Sequence, residues 1–303
     1  MGDASEELDW QEETYRVLGA EGVNGMFAKE KKMTTTLVPP RDGKKESGAP
    51  TKGLMLLVGH PKSGKTTTAA KFPRAYVLEL EKQRGDRVEG KELRIHDIAD
   101  TVKDGIIVKS ALDEFGDVLE LAIADDSIKT IVIDTVDELV GWISADILRT
   151  SGKDPNDVKP QEKNFAFWDA LRNRIAALCD YLKESGKLII LVAHCKAPEK
   201  DEKGAVIVPA GINVPGKGGA YLAAHAEMIG YISKRIVGGR PVQYMSFNAP
   251  SDMAIWGSGI DELDGKEIMI PKDDPYKAFA AMFAPKTEPK PAALVKKSGS
   301  KNK

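Results

Sequence analysis

Sulfur chemistry has little to work with in this chain. Its 303 residues hold two cysteines, Cys179 and Cys195, and no paired-Cys spacing that would cage a metal. That usage suits a reducing compartment rather than a disulfide framework. Neither sign of charge dominates: the net charge is −2 and the pI about 6.2. No global basic field pulls the protein toward nucleic acid or membrane, so any such contact must come from a local patch. No apolar run approaches the roughly 18 residues that a membrane-spanning helix needs. The start, "MGDASEELDW", is acidic, the reverse of a secretory signal. A cytoplasmic protein with no membrane partner is the expectation.

The chain has enough apolar material for one large domain, 42% hydrophobic against 30% charged. Both ends read as loose. Residues 1–13 carry six acids and no base, and residues 39–52, "PPRDGKKESGAPTK", form a Pro/Gly/Lys-rich linker. The end, "PKTEPKPAALVKKSGSKNK", has six lysines and one glutamate among Pro, Ser and Gly. It reads as a solubilising tail or as a basic arm for DNA or an acidic partner. The expected division is a flexible segment 1–52, a domain 53–284 and a basic tail 285–303.

Inside the domain, short apolar runs alternate with helical spacing. "GLMLLV", "AYVLELE" (75–81), "KTIVIDTV" (129–136) and "KLIILVAH" (187–194) read as buried strands. Segments 109–125 and 164–185 read as amphipathic helices. "HAEMIGYISKR" (225–235), Gly238-Gly239 and "RPVQYMSFN" (240–248) read as a hairpin, with further strands in "SDMAIWGS" and "KEIMIP" and a short helix in "DPYKAFAAMF". The fold class is α/β: a mostly parallel sheet flanked by helices, extended by antiparallel C-terminal strands. In such sheets ligands sit at the carboxyl ends of the strands.

The first strand runs into "GHPKSGKT", which fits G-x-x-x-x-G-K-[ST], the phosphate-binding P-loop or Walker A pattern. Glycines let backbone N–H groups turn around an anion, and a helix start adds more donors. The expected nucleotide contacts are Gly59, His60, Pro61, Lys62, Ser63, Gly64, Lys65, Thr66 and Thr67. Lys65 brings an ammonium to the β- and γ-phosphates, and Thr66 offers its hydroxyl to Mg²⁺. The next helix, "KTTTAAKF", is short and stops at Pro73. After "IVI" stands Asp134, a carboxylate placed to complete the Mg²⁺ shell near Thr66 in the manner of a Walker B aspartate. Asp137 and Glu138 read as a solvated helix start.

A hydrolytic ATPase must also orient one water in line with the γ-phosphate. Glu79 and Glu81 are the candidate carboxylates. Strand alternation puts both on one face, and position beyond the strand end favours Glu81. After "LIILVA", His194 is a γ-phosphate sensor or a satisfied histidine at a sheet edge. Lys234 and Arg235 read as exposed strand-end cations, with reach to a neighbour's γ-phosphate as the sharper reading.

These motifs together resemble the RecA-type ATPase core over roughly residues 53–284. "IVIDTVDEL" is similar to that family's Asp-Ser/Thr-Val segment, and "LELE" to the strand whose glutamate activates water, with Glu81 in its place. His194 stands where the family has an Asn or Gln sensor. "PGKGGAYLAAHAEMIGYI" is similar to the Gly-Gly that closes the second DNA-binding loop and runs into the next strand. The chain resembles phage-encoded nucleotide-binding proteins of the single-strand-annealing (Sak) class. The resemblance implies ATP and Mg²⁺ as cofactors, ATP hydrolysis, and single-stranded DNA as partner. It also implies a homo-oligomer or a contact with a single-strand-binding or replication protein, and the cytoplasm of a bacterial host. The DNA loop would be 196–217, with Lys196, Lys200, Lys203 and Lys217 as contacts, four lysines against three acids and no aromatic residue. The alternative is a nucleotide switch that controls a protein partner in replication or packaging. A small-molecule kinase fits less well, since no lid-like arginine cluster appears.

Overall fold

The structure is a computed structural model and describes residues 48–81, 94–159, 164–208, 210–248 and 256–284. The readings for segments 1–47, 251–255 and 285–303 lie outside the described residues. In chain order the elements are β1 (Gly53–Gly59), α1 (Lys65–Ala69), β2 (Ala75–Glu79), β3 (Arg94–Asp97), β4 (Thr101–Lys103), β5 (Ile106–Lys109), α2 (Ala111–Ala124), β6 (Thr130–Asp134), α3 (Val136–Thr150) and α4 (Phe165–Glu184). Then come β7 (Leu188–Lys196), β8 (Glu199–Lys200), β9 (Val206–Val208), β10 (Gly211–Ile212), α5 (Gly218–His225), β11 (Met228–Val237), β12 (Arg240–Ser246), β13 (Gly257–Ser258), β14 (Glu267–Ile270) and α6 (Pro275–Ala281).

The main sheet has the path β14-β12-β11-β1-β7-β6-β2-β3. From β11 to β3 every neighbour is parallel, and β12 and β14 extend it antiparallel. The reason lies in the strand sequences. All seven residues of β1 are buried, which suits a strand covered on both faces. Leu54, Leu56 and Val58 face a core completed by Leu119 of α2, Leu139 of α3 and Ile175 of α4. Met55 and Leu57 face the other way, onto Ala69 of α1, Phe247 and Phe279 of α6. Fully burying each such side chain contributes about 1.5–3 kcal/mol. The fold is that of a RecA-like P-loop NTPase.

Parallel register then sets the site. Gly59 at the end of β1 pairs with His194 of β7, and Asp134 at the end of β6 pairs with Val192 of β7 and Glu79 of β2. The ends of four strands therefore open on one edge.

Two segments differ from the sequence reading. The polar stretch 196–217 is not a plain loop. β7 runs on to Lys196, β8 and β9 pair with each other, and β10 returns antiparallel along β7 through Ile212 and Cys195. Backbone pairing there outweighs the low apolar content. Gly218-Gly219 does not close a loop that runs straight into a strand but opens α5, so the following strand begins at Met228 rather than at 225. Both glycines are buried; a Cβ on Gly219 would approach the Ile212 carbonyl at 3.2 Å. Close packing, not an unusual backbone angle, explains a small residue there.

Candidate functional site

The P-loop follows β1 directly. Gly64 takes φ +96° before the five-residue α1, a conformation that L side chains resist. Gly59 is required for space, since a Cβ would come 2.6 Å from the Ile232 carbonyl oxygen. Lys65 is buried, and its Nζ donates to the carbonyls of Gly59 (3.0 Å) and His60 (3.1 Å). Its ammonium thus lies folded over the loop that an anion would enter. Of the other loop residues, His60, Pro61 and Lys62 are exposed, Ser63 is buried, and Thr66 and Thr67 are half-buried.

Thr66 Oγ1 donates to Asp134 Oδ2 at 2.5 Å. A hydroxyl and a carboxylate from two elements converge on one point. Hard oxygen donors of this kind fit Mg²⁺, which is usually held by one or two protein oxygens plus water and substrate phosphates. Thr66 and Asp134 would hold the ion, which would supply positive charge to offset that of the phosphates. Among the described residues no three His, Cys, Asp or Glu side chains form a metal cage of their own.

The two glutamates separate because the chain leaves the sheet at Glu79, after which strand alternation no longer applies. Glu79 is buried beside Asp134. Glu81 accepts from Thr135 Oγ1 (3.2 Å) and lies 3.5 Å from His194 Nδ1. The peptide between Asp134 and Thr135 is cis.

Asp137 corrects the sequence reading of a solvated helix start. It lies in the first turn of α3 and is only 12% exposed. Its Oδ2 accepts the His194 backbone N–H at 2.8 Å and stands 3.3 Å from His194 Nδ1. The histidine ring is therefore held between Asp137 and Glu81, while its Nε2 is buried with no hydrogen-bond partner among the described residues. Asp137→Ala is expected to destabilise the fold by about 1.5–3 kcal/mol, the range for a hydrogen bond to a charged group. Asp137→Asn, which keeps an acceptor, should cost less. Urea unfolding of both variants measures this, and an unchanged midpoint in the alanine variant contradicts the assignment.

The C-terminal hairpin braces the loop from its other side. Gln243 of β12 donates to Thr68 Oγ1 (2.7 Å) and to the Gly64 carbonyl (3.3 Å). Lys234 of β11 donates to the Lys62 carbonyl at 2.8 Å, so it is turned toward its own phosphate loop. Arg235 instead makes a two-pronged ion pair with Glu267 and lies 4.7 Å over the Tyr244 ring. Neither is a bare strand-end cation. No linear motif marks Gln243 or Asp137, because their partners lie far away in the chain.

Burial works against the thiolate form of both cysteines. Burial pushes the Cys179 thiol up to about 12. Burial also raises Cys195, with the nearby Lys65 charge pulling it partly back.

Lys196 of the anticipated DNA set is paired with Glu199 at 2.5 Å, whereas Lys200, Lys203 and Lys217 are exposed. The four stand on separate elements: Lys196 ends β7, Lys200 and Lys203 belong to the β8–β9 hairpin, and Lys217 stands at the start of α5. Among the described residues no helix is long and apolar enough to cross a membrane.

A parallel sheet with a glycine-hinged phosphate loop on one strand and an aspartate touching the loop's threonine from another defines a P-loop NTPase. A family model described as an AAA domain matches residues 51–249, and the chain belongs to that family. Among solved structures it is similar to a KaiC-like protein from the hyperthermophilic archaeon Pyrococcus horikoshii, at 15% identity and a TM-score of 0.41, covering 73% of this chain and 87% of that one. No curated protein sequence matches it.

Proposed function

We propose that this ATP-binding P-loop protein is a Mg²⁺-dependent ATPase that acts on single-stranded DNA, in strand annealing or recombination of the phage type. The observation that carries the hydrolytic part is the convergence of Lys65, Thr66, Asp134, Glu81 and His194 at one sheet edge. In this reading Lys65 clamps the phosphates, Thr66 and Asp134 hold the ion, and Glu81 takes a proton from the attacking water. His194, whose Nδ1 lies 3.5 Å from Glu81, reports the γ-phosphate through that carboxylate.

The DNA part rests on continuity. β7 carries His194 and runs straight into the segment with Lys196, Lys200, Lys203 and Lys217. The His194 carbonyl accepts the Asn213 N–H at 2.9 Å, tying the far end of that segment back to the same residue. Nucleotide and strand binding would be linked through this path, each tightening the other. Replacing the four lysines by alanine should weaken single-strand binding and flatten its salt dependence, the slope falling by about one for each phosphate no longer neutralised. Fluorescence anisotropy with a labelled oligonucleotide over a salt series measures both. Unchanged affinity and slope would remove this segment as the DNA-binding surface.

A second reading, a nucleotide switch that engages a protein partner, is favoured by one observation. The β4–β5 hairpin exposes Val102, Ile106, Ile107 and Val108, each by more than half, as surfaces that meet other proteins do.

A further inference from the structure

The loop 196–217 has no aromatic residue, yet single-strand binders combine cations with stacking rings. The rings come from elsewhere. A cavity of about 350 Å³ lies between the start of α4 and the start of α5, lined by Phe165, Trp168, Arg172, Lys217 and Tyr221 among others. We infer that this cleft holds an unpaired nucleobase of a bound single strand, stacked against the three rings, with Lys217 on the adjoining phosphate. The inference rests on the single-strand reading above and names where bases would be held.

Phe165 is 83% exposed, the most exposed large apolar side chain of the described residues. It is the first residue of α4, set there by Asn164, whose side chain accepts from the Phe167 N–H at 3.0 Å. A ring fixed on a helix end and left open to solvent is a ready stacking surface. Trp168, one turn on, packs its ring so close to Gly216 that a Cβ there would come within 2.6 Å. Tyr221 reaches the same space from α5. Stacking tolerates any base, because every base has a π face.

The rim supplies the charge. Lys217 is exposed at the start of α5, and no acidic residue stands in the first turn of α4 or α5. One acid lines the cleft, Asp169, and its carboxylate is occupied by Arg172 and Asn173. Nothing uncompensated among the lining residues repels a phosphate there. An apolar peptide side chain would use the rings but would leave Lys217 idle, so a nucleic-acid strand is the better match. The cleft is also tied to the nucleotide site. Asn213, bonded to the His194 carbonyl, lies three residues before Gly216.

The test compares the full chain with its Phe165→Ala variant on two labelled strands of about 20 nucleotides, oligothymidylate and an abasic strand of equal length. Phe165 is exposed, so the variant keeps the fold. Wild type should prefer the base-bearing strand, and the variant should bind it about 5- to 50-fold more weakly. Binding of the abasic strand should stay within about twofold, because its phosphates meet the same cations. Tyr221→Ala should repeat the pattern. Normal oligothymidylate binding by both variants overturns the cleft and leaves the single-strand reading standing. Equal losses on both strands also overturn it, since a ring that stacks bases cannot act on a strand without them. Failure of wild type to bind either strand overturns the inference together with the reading beneath it. If that wild type self-associates and Phe165→Ala releases the copies, the rings belong to a protein contact.

Discussion

Lys65→Ala is expected to abolish measurable ATP hydrolysis while the protein stays folded. Lys65 is the buried ammonium of the phosphate loop, and it donates to the carbonyls of Gly59 and His60 at the loop rim. Removing it leaves the packing of β1 and α1 in place. What disappears is a charge positioned for the phosphates. Such donors supply several kcal/mol of transition-state stabilisation, so turnover should fall about 10²-fold or more. Phosphate release measures the rate, and circular dichroism checks the fold. Undiminished turnover in a folded variant contradicts the nucleotide site.

The second large effect is expected at Glu81. Glu81→Gln keeps the side chain's size and an acceptor for Thr135 Oγ1, but the amide cannot take a proton from water. Nucleotide affinity should hold, and hydrolysis should slow by about 10²- to 10³-fold, within the range for a general base. The pattern separates roles. If affinity falls while residual turnover is normal, Glu81 binds or braces, and Glu79, buried beside Asp134, becomes the candidate.

The frame of this site was legible in the sequence because it is local. A run such as "GLMLLV", short and bounded by glycines, reads as a strand covered on both faces, and the loop's glycine and lysine spacing is fixed by the geometry of wrapping an anion. Asp134 follows from the same logic, one residue after a buried run. What escaped were the contacts between distant segments. Asp137 resembles any acid at a helix start until β7 is seen to deliver the His194 N–H to it. Gln243 sits in an unremarkable hairpin until that hairpin folds against Gly64 and Thr68. Gly218-Gly219 suggests a turn to local propensity, whereas its small size serves packing against Ile212 and Val214. The rings of Phe165, Trp168 and Tyr221 come from two helices well separated in the chain, and only the fold sets them around one cavity.

In the proposed function one sheet edge couples ATP hydrolysis to single-stranded DNA. Turnover of Mg²⁺-ATP by the purified chain, with and without an oligothymidylate at low salt, tests it most directly. A rate that rises with the strand and loses the increment as salt is added supports the coupling. A rate that the strand leaves unchanged at every salt concentration contradicts it.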